Sequence, residues 1–191
     1  MGPLQGEGER AAEGTVSPGW GSSGNRGLAY TDPFGLWPPE THDVLILHAL
    51  RGIASAQDIA AIQHASRSFD VRTQLPGQSY LHSMRDPGQS TASATQERNH
   101  FVATTLTQAR ELEASGDHAG ALKAFGEATH PEVDRTSPAH TDAQGNPRLW
   151  VPVPGRIGAH SREESGRPSR DAVQQSDRLL QSAYNFVFGG P

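Results

Sequence analysis

The chain contains no cysteine, which excludes disulfide bonds and thiolate metal sites. Any metal ion would therefore need nitrogen and oxygen ligands, and a set of imidazoles and carboxylates suits zinc or manganese. Long hydrophobic runs are missing as well. No apolar stretch approaches the roughly 18 residues of a membrane span, and no secretory signal opens the sequence. These absences predict a soluble protein with no targeting signal of its own.

Charged residues are also few. They form 19% of the 191 residues, and the net charge is -5, so the chain as a whole does not attract a polyanion such as nucleic acid. In contrast, 21 glycines and 14 prolines accompany a hydrophobic content of 34%, which favours a folded part joined to a disordered part. Residues 1–36 are glycine-rich and lack apolar periodicity, which predicts a disordered tail or the fragment of a larger unit.

From residue 37 onward the apolar residues follow helical spacing, and no convincing alternation typical of strands is present. A first helix is predicted near residues 44–50, with Thr41 as its N-cap. A long helix is predicted to start near Thr91, after the break at Pro87-Gly88. The sequence therefore predicts an all-α domain over residues 37–191.

Four apolar stripes mark the later helices, and the last of these helices has Asp171 as a possible cap. The segment 136–168 is rich in proline and glycine and is predicted to be a loop region. The stripes are Ile59, Ile62, Ala65 and Phe69; Phe101, Val102, Leu106, Ala109 and Leu112; Ala121, Leu122, Phe125 and Ala128; and Val173, Leu180, Ala183 and Val187.

Histidines and acids recur at spacings that suit metal binding. His130 and Asp134 are four residues apart, which places them on one face of a helix. His140 follows six residues later, and His160 with Glu164 forms a second pair of the same spacing. Pro131 follows His130 directly, and because proline disfavours α geometry in the residue before it, the helix is expected to begin near there or to be kinked.

Three further candidate ligands lie upstream: His42 at the start of the first helix, Asp70 at the end of the second, and His82. Together with the downstream residues they are too many for one tetrahedral ion, so the pattern predicts a site with several metal ions. Four histidines have no place in the pattern and are interpreted as structural or surface residues: His48, His64, His100 and His118.

The order and spacing of these residues resemble the zinc-dependent phospholipases C and the related single-strand-specific zinc nucleases, over most of 37–191. Those enzymes hold three zinc ions in an α-helical fold, with an N-terminal tryptophan as the first ligand and a central His-x3-Asp-x5-His unit. The matching residues here are Trp37, His42, Asp70 and His82, then His130, Asp134 and His140 at the central spacing, then His160 and Glu164.

The resemblance implies a distribution of up to three zinc ions over these residues. Asp70, His82, His130 and Asp134 would hold one ion. Asp134 would bridge to a second ion, which is also bound by His42 and by the amino group and carbonyl of Trp37. A third ion would be held by His140, His160 and Glu164. The resemblance also gives Asp70 a catalytic role, which is to assist the attacking water.

Trp37 departs from the family pattern because it is acylated by Leu36, and an amide nitrogen cannot coordinate as an amine does. The preceding stretch, Asp32-Pro33-Phe34-Gly35-Leu36, resembles the motif that closes the core of Rhs-repeat toxins, which cut themselves after the leucine. Cleavage between Leu36 and Trp37 would separate a glycine-rich core remnant (1–36) from a metal-dependent toxin domain (37–191), and would create the missing amine. The alternative is that this stretch is only a turn.

Three functions remain open at this stage. The first is a phospholipase C, favoured by the acidic balance and by the sequence around 126–130. The second is a nuclease, favoured by the short spacing of five residues between Trp37 and His42. The third is a non-enzymatic helical module with scattered histidines. The Rhs resemblance further implies an encapsulating cage, delivery of the effector into a target cell, commonly by a type VI secretion machine, and a cognate immunity protein.

Overall fold

The structure, a computed structural model, describes Gly2, residues 39–151 and residues 167–189. Apart from Gly2, the glycine-rich segment 1–36 lies outside the described residues, and so does the Leu36–Trp37 bond. The helices all belong to the contact unit Asp32–Pro191. They are α1 (Pro39–Leu50), α2 (Ala56–Arg72), α3 (Thr91–Ala114), α4 (His118–Asp134) and α5 (Arg170–Phe188), with one 3₁₀ turn at Ser79–His82.

Across the described ranges the chain forms no β-strand, and only three isolated bridges occur outside the helices. The prediction of an all-α protein is therefore confirmed. The predicted loop character of segment 136–168 is confirmed as far as residue 151, where turns and two of the bridges replace helix. Among the described helices, none combines the length and the apolar character that crossing a bilayer requires.

Two predicted caps are wrong. Helix α1 begins at Pro39, so Thr41 lies within its first turn. Proline suits this position because the N–H that it lacks would have no partner within the helix. Helix α5 is capped by Ser169, whose hydroxyl accepts a hydrogen bond from the Ala172 N–H at 3.1 Å. Asp171 instead lies in the first turn of α5, where its charge complements the helix dipole.

Helix α4 is central to the packing. It contacts α2 and α3 extensively, and α5 packs across α1, α3 and α4. The predicted stripes of α2 and α4 are buried at every position. In the predicted stripe of α3 only Ala109 is buried, because the side that α3 presents to the core also carries Arg98 and Thr105. The largest fully buried apolar side chains are Leu45, Ile46, Leu50, Ile62, Phe125 and Leu180.

Gly126 sets the distance between α2 and α4. A Cβ atom at this position would lie 2.7 Å from the Ala65 Cβ and 2.7 Å from the Ile62 carbonyl oxygen. Both distances are shorter than a normal van der Waals contact, so only glycine permits the two helices to approach this closely. One turn beyond Gly126 lies His130, which faces Ser66 of α2. The close approach therefore brings Asp70, in the last turn of α2, near His130 of α4.

We expect Gly126→Ala to destabilise the protein. The added methyl group would overpack the α2–α4 contact at a cost of about 1–3 kcal/mol, which exceeds or cancels the gain of about 1 kcal/mol in helix propensity. Urea unfolding monitored by circular dichroism measures the difference. Ala119→Ser, at an exposed position of the same helix, is the control. A Gly126→Ala protein more stable than the parent chain would contradict the close contact.

Candidate metal centre

The C-terminal half of α4 is buried on all sides, since every residue from Ala128 to Asp134 is buried. This stretch includes the titratable side chains of His130, Glu132 and Asp134. Burial of such groups is costly unless each one is paired or bound to a metal ion. Helix α4 therefore places titratable side chains in the interior of the protein.

Each of the other ligand candidates comes from a different element. His42 lies on α1 one turn before the buried Leu45 and Ile46, so it shares their inward face. Asp70 is in the last turn of α2, and His82 ends the 3₁₀ turn. His140 follows α4 in a turn closed by its own N–H, which donates to the Ser137 carbonyl at 3.1 Å. The structure brings all of these buried side chains to the end of α4.

The carboxylate of Asp134 is the common neighbour of four imidazoles. Its Oδ1 lies 2.8 Å from His42 Nε2. Its Oδ2 lies 3.2 Å from His130 Nε2, 3.3 Å from His82 Nδ1 and 3.6 Å from His140 Nδ1. The two oxygens thus face two different groups of nitrogen atoms, which is the arrangement of a carboxylate able to bridge two ions.

Three of these ligand atoms have the mutual spacing of a tetrahedral zinc site, and an oxygen of Asp70 lies close to two of them. His82 Nδ1 and His130 Nε2 are 3.1 Å apart, and Asp134 Oδ2 lies 3.2 and 3.3 Å from them. The Asp70 Oδ1 atom lies 3.7 Å from His130 Nε2 and 3.8 Å from His82 Nδ1. A tetrahedral zinc with bonds of about 2.0–2.1 Å has ligand atoms about 3.3–3.4 Å apart. The residues present therefore fit the ion that the sequence predicts.

Hydrogen bonds on the far side of two imidazoles determine which nitrogen carries the proton. His82 Nε2 lies 3.2 Å from the Thr73 carbonyl oxygen, and His140 Nδ1 lies 2.6 Å from the His82 carbonyl oxygen. A carbonyl only accepts, so both of these nitrogens donate. In the neutral rings the lone pairs are therefore on His82 Nδ1 and His140 Nε2. The lone pair of His82 faces the carboxylates and is presented as a metal ligand.

Burial and charge favour the ligand forms of the central pair. Burial lowers the pKa of His130, which favours the neutral imidazole that binds metal. For Asp134, burial acts to raise the pKa, but the nearby imidazoles of His140, His130 and His42 outweigh it and hold this pKa well below its ordinary value. Asp134 is therefore a carboxylate at neutral pH, and a carboxylate is the form that bridges ions.

Several residues around the ligands were missed in the sequence. The Ser66 hydroxyl lies 3.3 Å from His130 Nδ1 and can accept a hydrogen bond from this nitrogen. Gln74 donates from Nε2 to Asp70 Oδ1 at 2.8 Å. Ser66 and Gln74 each lie four residues from Asp70, a spacing that could have marked them. Such outer contacts fix ligand orientation and basicity in metal sites.

Ser83 is a further residue that sequence analysis missed, and no pattern marks it. Its φ of 54° is in the left-handed region, which is unusual for a residue other than glycine. The Ser83 hydroxyl donates to the Pro131 carbonyl at 2.6 Å and is fully buried. This bond fastens the turn that carries His82 to α4. Helix α4 itself neither begins nor ends at Pro131, so the alternative of a helix start near His130 is wrong.

Three predicted ligands, Trp37, His160 and Glu164, lie outside the described residues. The four histidines that the pattern leaves out are all exposed, as predicted: His48, His64, His100 and His118. Their exposure agrees with the interpretation of these four as structural or surface residues. The structure thus separates them from the four buried histidines at the end of α4.

Comparisons with protein-family models, curated proteins and solved structures give no match to this chain. The case for a metal site therefore rests on the geometry of the described residues. Two overlapping triplets each bring three ligand atoms within 4.8 Å of one another: His42, His130 and Asp134, and Asp70, His82 and His130. Because both triplets are buried, the described residues include a His/Asp cluster that could hold a metal ion.

We expect Thr73→Val to weaken zinc binding by about tenfold or more, since outer contacts of this kind contribute about 10–100-fold to affinity. The Thr73 hydroxyl lies 3.0 Å from His82 Nε2, and Thr73→Ser keeps it. Competition with a chromophoric chelator measures the affinity. The control is Thr107→Val, which removes an exposed hydroxyl of α3. The role of Thr73 is disproved if the valine variant binds zinc as tightly as the parent chain, or if the serine variant binds as weakly as the valine variant.

Proposed function

We propose that this chain is a zinc-dependent phosphodiesterase that hydrolyses phospholipids in the manner of a phospholipase C. One observation carries the proposal: two imidazoles from distant elements lie 3.1 Å apart, and each lies 3.2–3.8 Å from an oxygen of both Asp70 and Asp134. Asp134 then reaches a further imidazole, His42, with its other oxygen. A bridged cluster of this composition suits hydrolysis of a phosphodiester.

Zinc ions bound there would lower the pKa of a water molecule and neutralise the phosphoryl oxygens. The residues of the chain then have separate tasks. His82, His130 and Asp134 would hold the ion and leave a coordination position for water, and the Asp70 carboxylate would take the proton of the attacking water as general base. Asp70 suits that task because its side chain keeps 8% exposure whereas that of Asp134 keeps none. Gln74 orients the Asp70 carboxylate through its hydrogen bond.

A lipid substrate is favoured over nucleic acid for two reasons. The net charge of -5 gives no general attraction for a polyanion. In addition, half of the residues that line a cleft beside His82 are apolar, and the surface of the cleft is mainly apolar. The convergence of His42, His82, His130 and His140 on Asp134 argues against a non-enzymatic module with scattered histidines.

We expect the zinc-loaded chain to release phosphorylated headgroups from phospholipid vesicles, and Asp70→Asn to slow this release about 100-fold or more, because general-base catalysis contributes about 10²–10⁴-fold. His64→Ala, an exposed histidine on the same helix, is the control and should keep the parent rate. Single-stranded DNA is assayed in parallel. Cleavage of DNA alone would indicate the nuclease, and no cleavage of either substrate would favour the non-enzymatic module.

We further propose that cleavage between Leu36 and Trp37 matures the site by creating the free amine of Trp37. Three further proposals concern delivery: an Rhs core encloses the toxin, a type VI machine delivers it into a target cell, and the producer has an immunity protein. Like the maturation step, they rest on the resemblance of the sequence to known families.

A chain that starts at Trp37 is therefore expected to bind one more zinc ion than the chain that starts at Met1, and to hydrolyse phospholipid faster. The physical reason is that a terminal amine coordinates zinc and an amide nitrogen does not. Elemental analysis and the vesicle assay give the two measurements. The control is a chain that starts at Trp37 with an acetylated N-terminus. Equal zinc content and equal rates in all three chains would remove the maturation step.

A further inference from the structure

An apolar cleft opens directly beside the candidate metal centre. Its volume is about 360 Å³, which is within the range of small-molecule sites. His82 belongs both to the wall of this cleft and to the metal cluster, so a molecule in the cleft lies next to one candidate ligand. Gln74 also lines the cleft, and it donates to Asp70 Oδ1 at 2.8 Å. The apolar part of the wall consists of Leu75, Pro76, Met84, Pro87 and Trp150.

The chain holds this wall in place through the backbone. The Trp150 N–H donates to the Arg85 carbonyl at 2.9 Å, and the Arg85 N–H donates to the Arg148 carbonyl at 2.9 Å. Met84 is fastened in the same way, since its N–H donates to the Ser79 carbonyl at 3.0 Å. The tryptophan and the methionine are therefore parts of a fixed wall.

An exposed apolar side chain forms part of the cleft wall. Leu75 lines the cleft and remains 63% exposed, whereas Met84 of the same wall is buried. Val71, four residues earlier at the end of α2, is 73% exposed. A single exposed leucine is ordinary, but this one lines a mainly apolar cleft that also includes His82 of the metal cluster.

The charges of the cleft distinguish between possible substrates. None of the described residues that line it is a lysine or an arginine, and Asp86 places a carboxylate in the wall. The Asp86 carboxylate accepts a hydrogen bond from the Ser79 hydroxyl at 2.7 Å. A strand of nucleic acid would bring further phosphates to this wall without any cation to receive them. An uncharged hydrocarbon group meets no such opposition.

We infer that this cleft binds the hydrocarbon part of a glycerophospholipid, and that Leu75 and Val71 contact the lipid surface from which the substrate is drawn. The inference rests on the proposed function, because it places the phosphodiester of that lipid at Asp70 and His82. It assigns substrate selection to the segment between α2 and the 3₁₀ turn. Leu75 is then a residue that determines substrate specificity, whereas the ligands of the metal centre would serve the hydrolysis of any phosphodiester.

The test compares Leu75→Asp with Leu47→Asp. Leu47 is an exposed leucine of α1, 45% accessible, that does not line the cleft. Both variants are made in the full chain and loaded with zinc. The first readout is the ratio of two rates, one on phosphatidylcholine vesicles and one on 4-nitrophenylphosphorylcholine, a soluble diester without acyl chains. The second readout is co-sedimentation with the same vesicles, measured in the Asp70→Asn background so that the lipid remains intact.

We expect Leu75→Asp to lower the rate ratio at least tenfold and vesicle binding at least fivefold, while Leu47→Asp leaves both unchanged. Equal behaviour of the two variants in both readouts would overturn the inference, although hydrolysis of either substrate by the parent chain would leave the proposed function standing. If no diester is hydrolysed, the proposed function fails and co-sedimentation alone decides the inference. The inference would also be overturned if Leu75→Asp weakened binding to labelled single-stranded DNA and left vesicle binding unchanged.

Discussion

The structure depends on one electrostatic constraint, which is that imidazole nitrogens and carboxylate oxygens face each other at the buried end of α4. The His82 nitrogen that carries the lone pair lies 3.3 Å from one carboxylate oxygen and 3.1 Å from a second imidazole nitrogen. One extra proton on His82 would satisfy one of these pairs only. A metal cation between them satisfies the imidazoles and the carboxylates of Asp70 and Asp134 together, which offsets the cost of burying them.

The rest of the fold serves to hold these donors in place. Gly126 allows α2 and α4 to approach, which brings Asp70 and Ser66 to His130. The bond from Ser83 to the Pro131 carbonyl fastens the 3₁₀ turn to α4, and the His82 carbonyl in turn orients the His140 ring. Each ligand is therefore positioned by a contact that involves another ligand-bearing element. Such mutual support is typical of sites whose geometry must be held within a fraction of an ångström.

Local patterns predict the helices well but do not show how the helices meet. The stripes of α2 and α4 follow from periodicity, and both are buried as predicted. The cap of α5 is Ser169 and not Asp171, because two polar residues near a helix start can compete for the cap. Helix α1 begins earlier than predicted, at Pro39, since proline is well suited to a first turn. Of the site, only the His130–Asp134 pair follows from spacing. The contact of Asp134 with His42, 92 residues away, has no local signal, and the resemblance to known zinc enzymes supplied it.

The central claim is that imidazoles and carboxylates from distant parts of the chain bind zinc together. Anomalous scattering recorded at the zinc edge from crystals of the zinc-loaded protein tests it most directly. We predict a strong peak about 2.0–2.1 Å from His82 Nδ1 and His130 Nε2, and a second peak beside the Asp134 oxygen that faces His42. Data that show no zinc at the end of α4, or zinc bound only by exposed histidines, would contradict the claim.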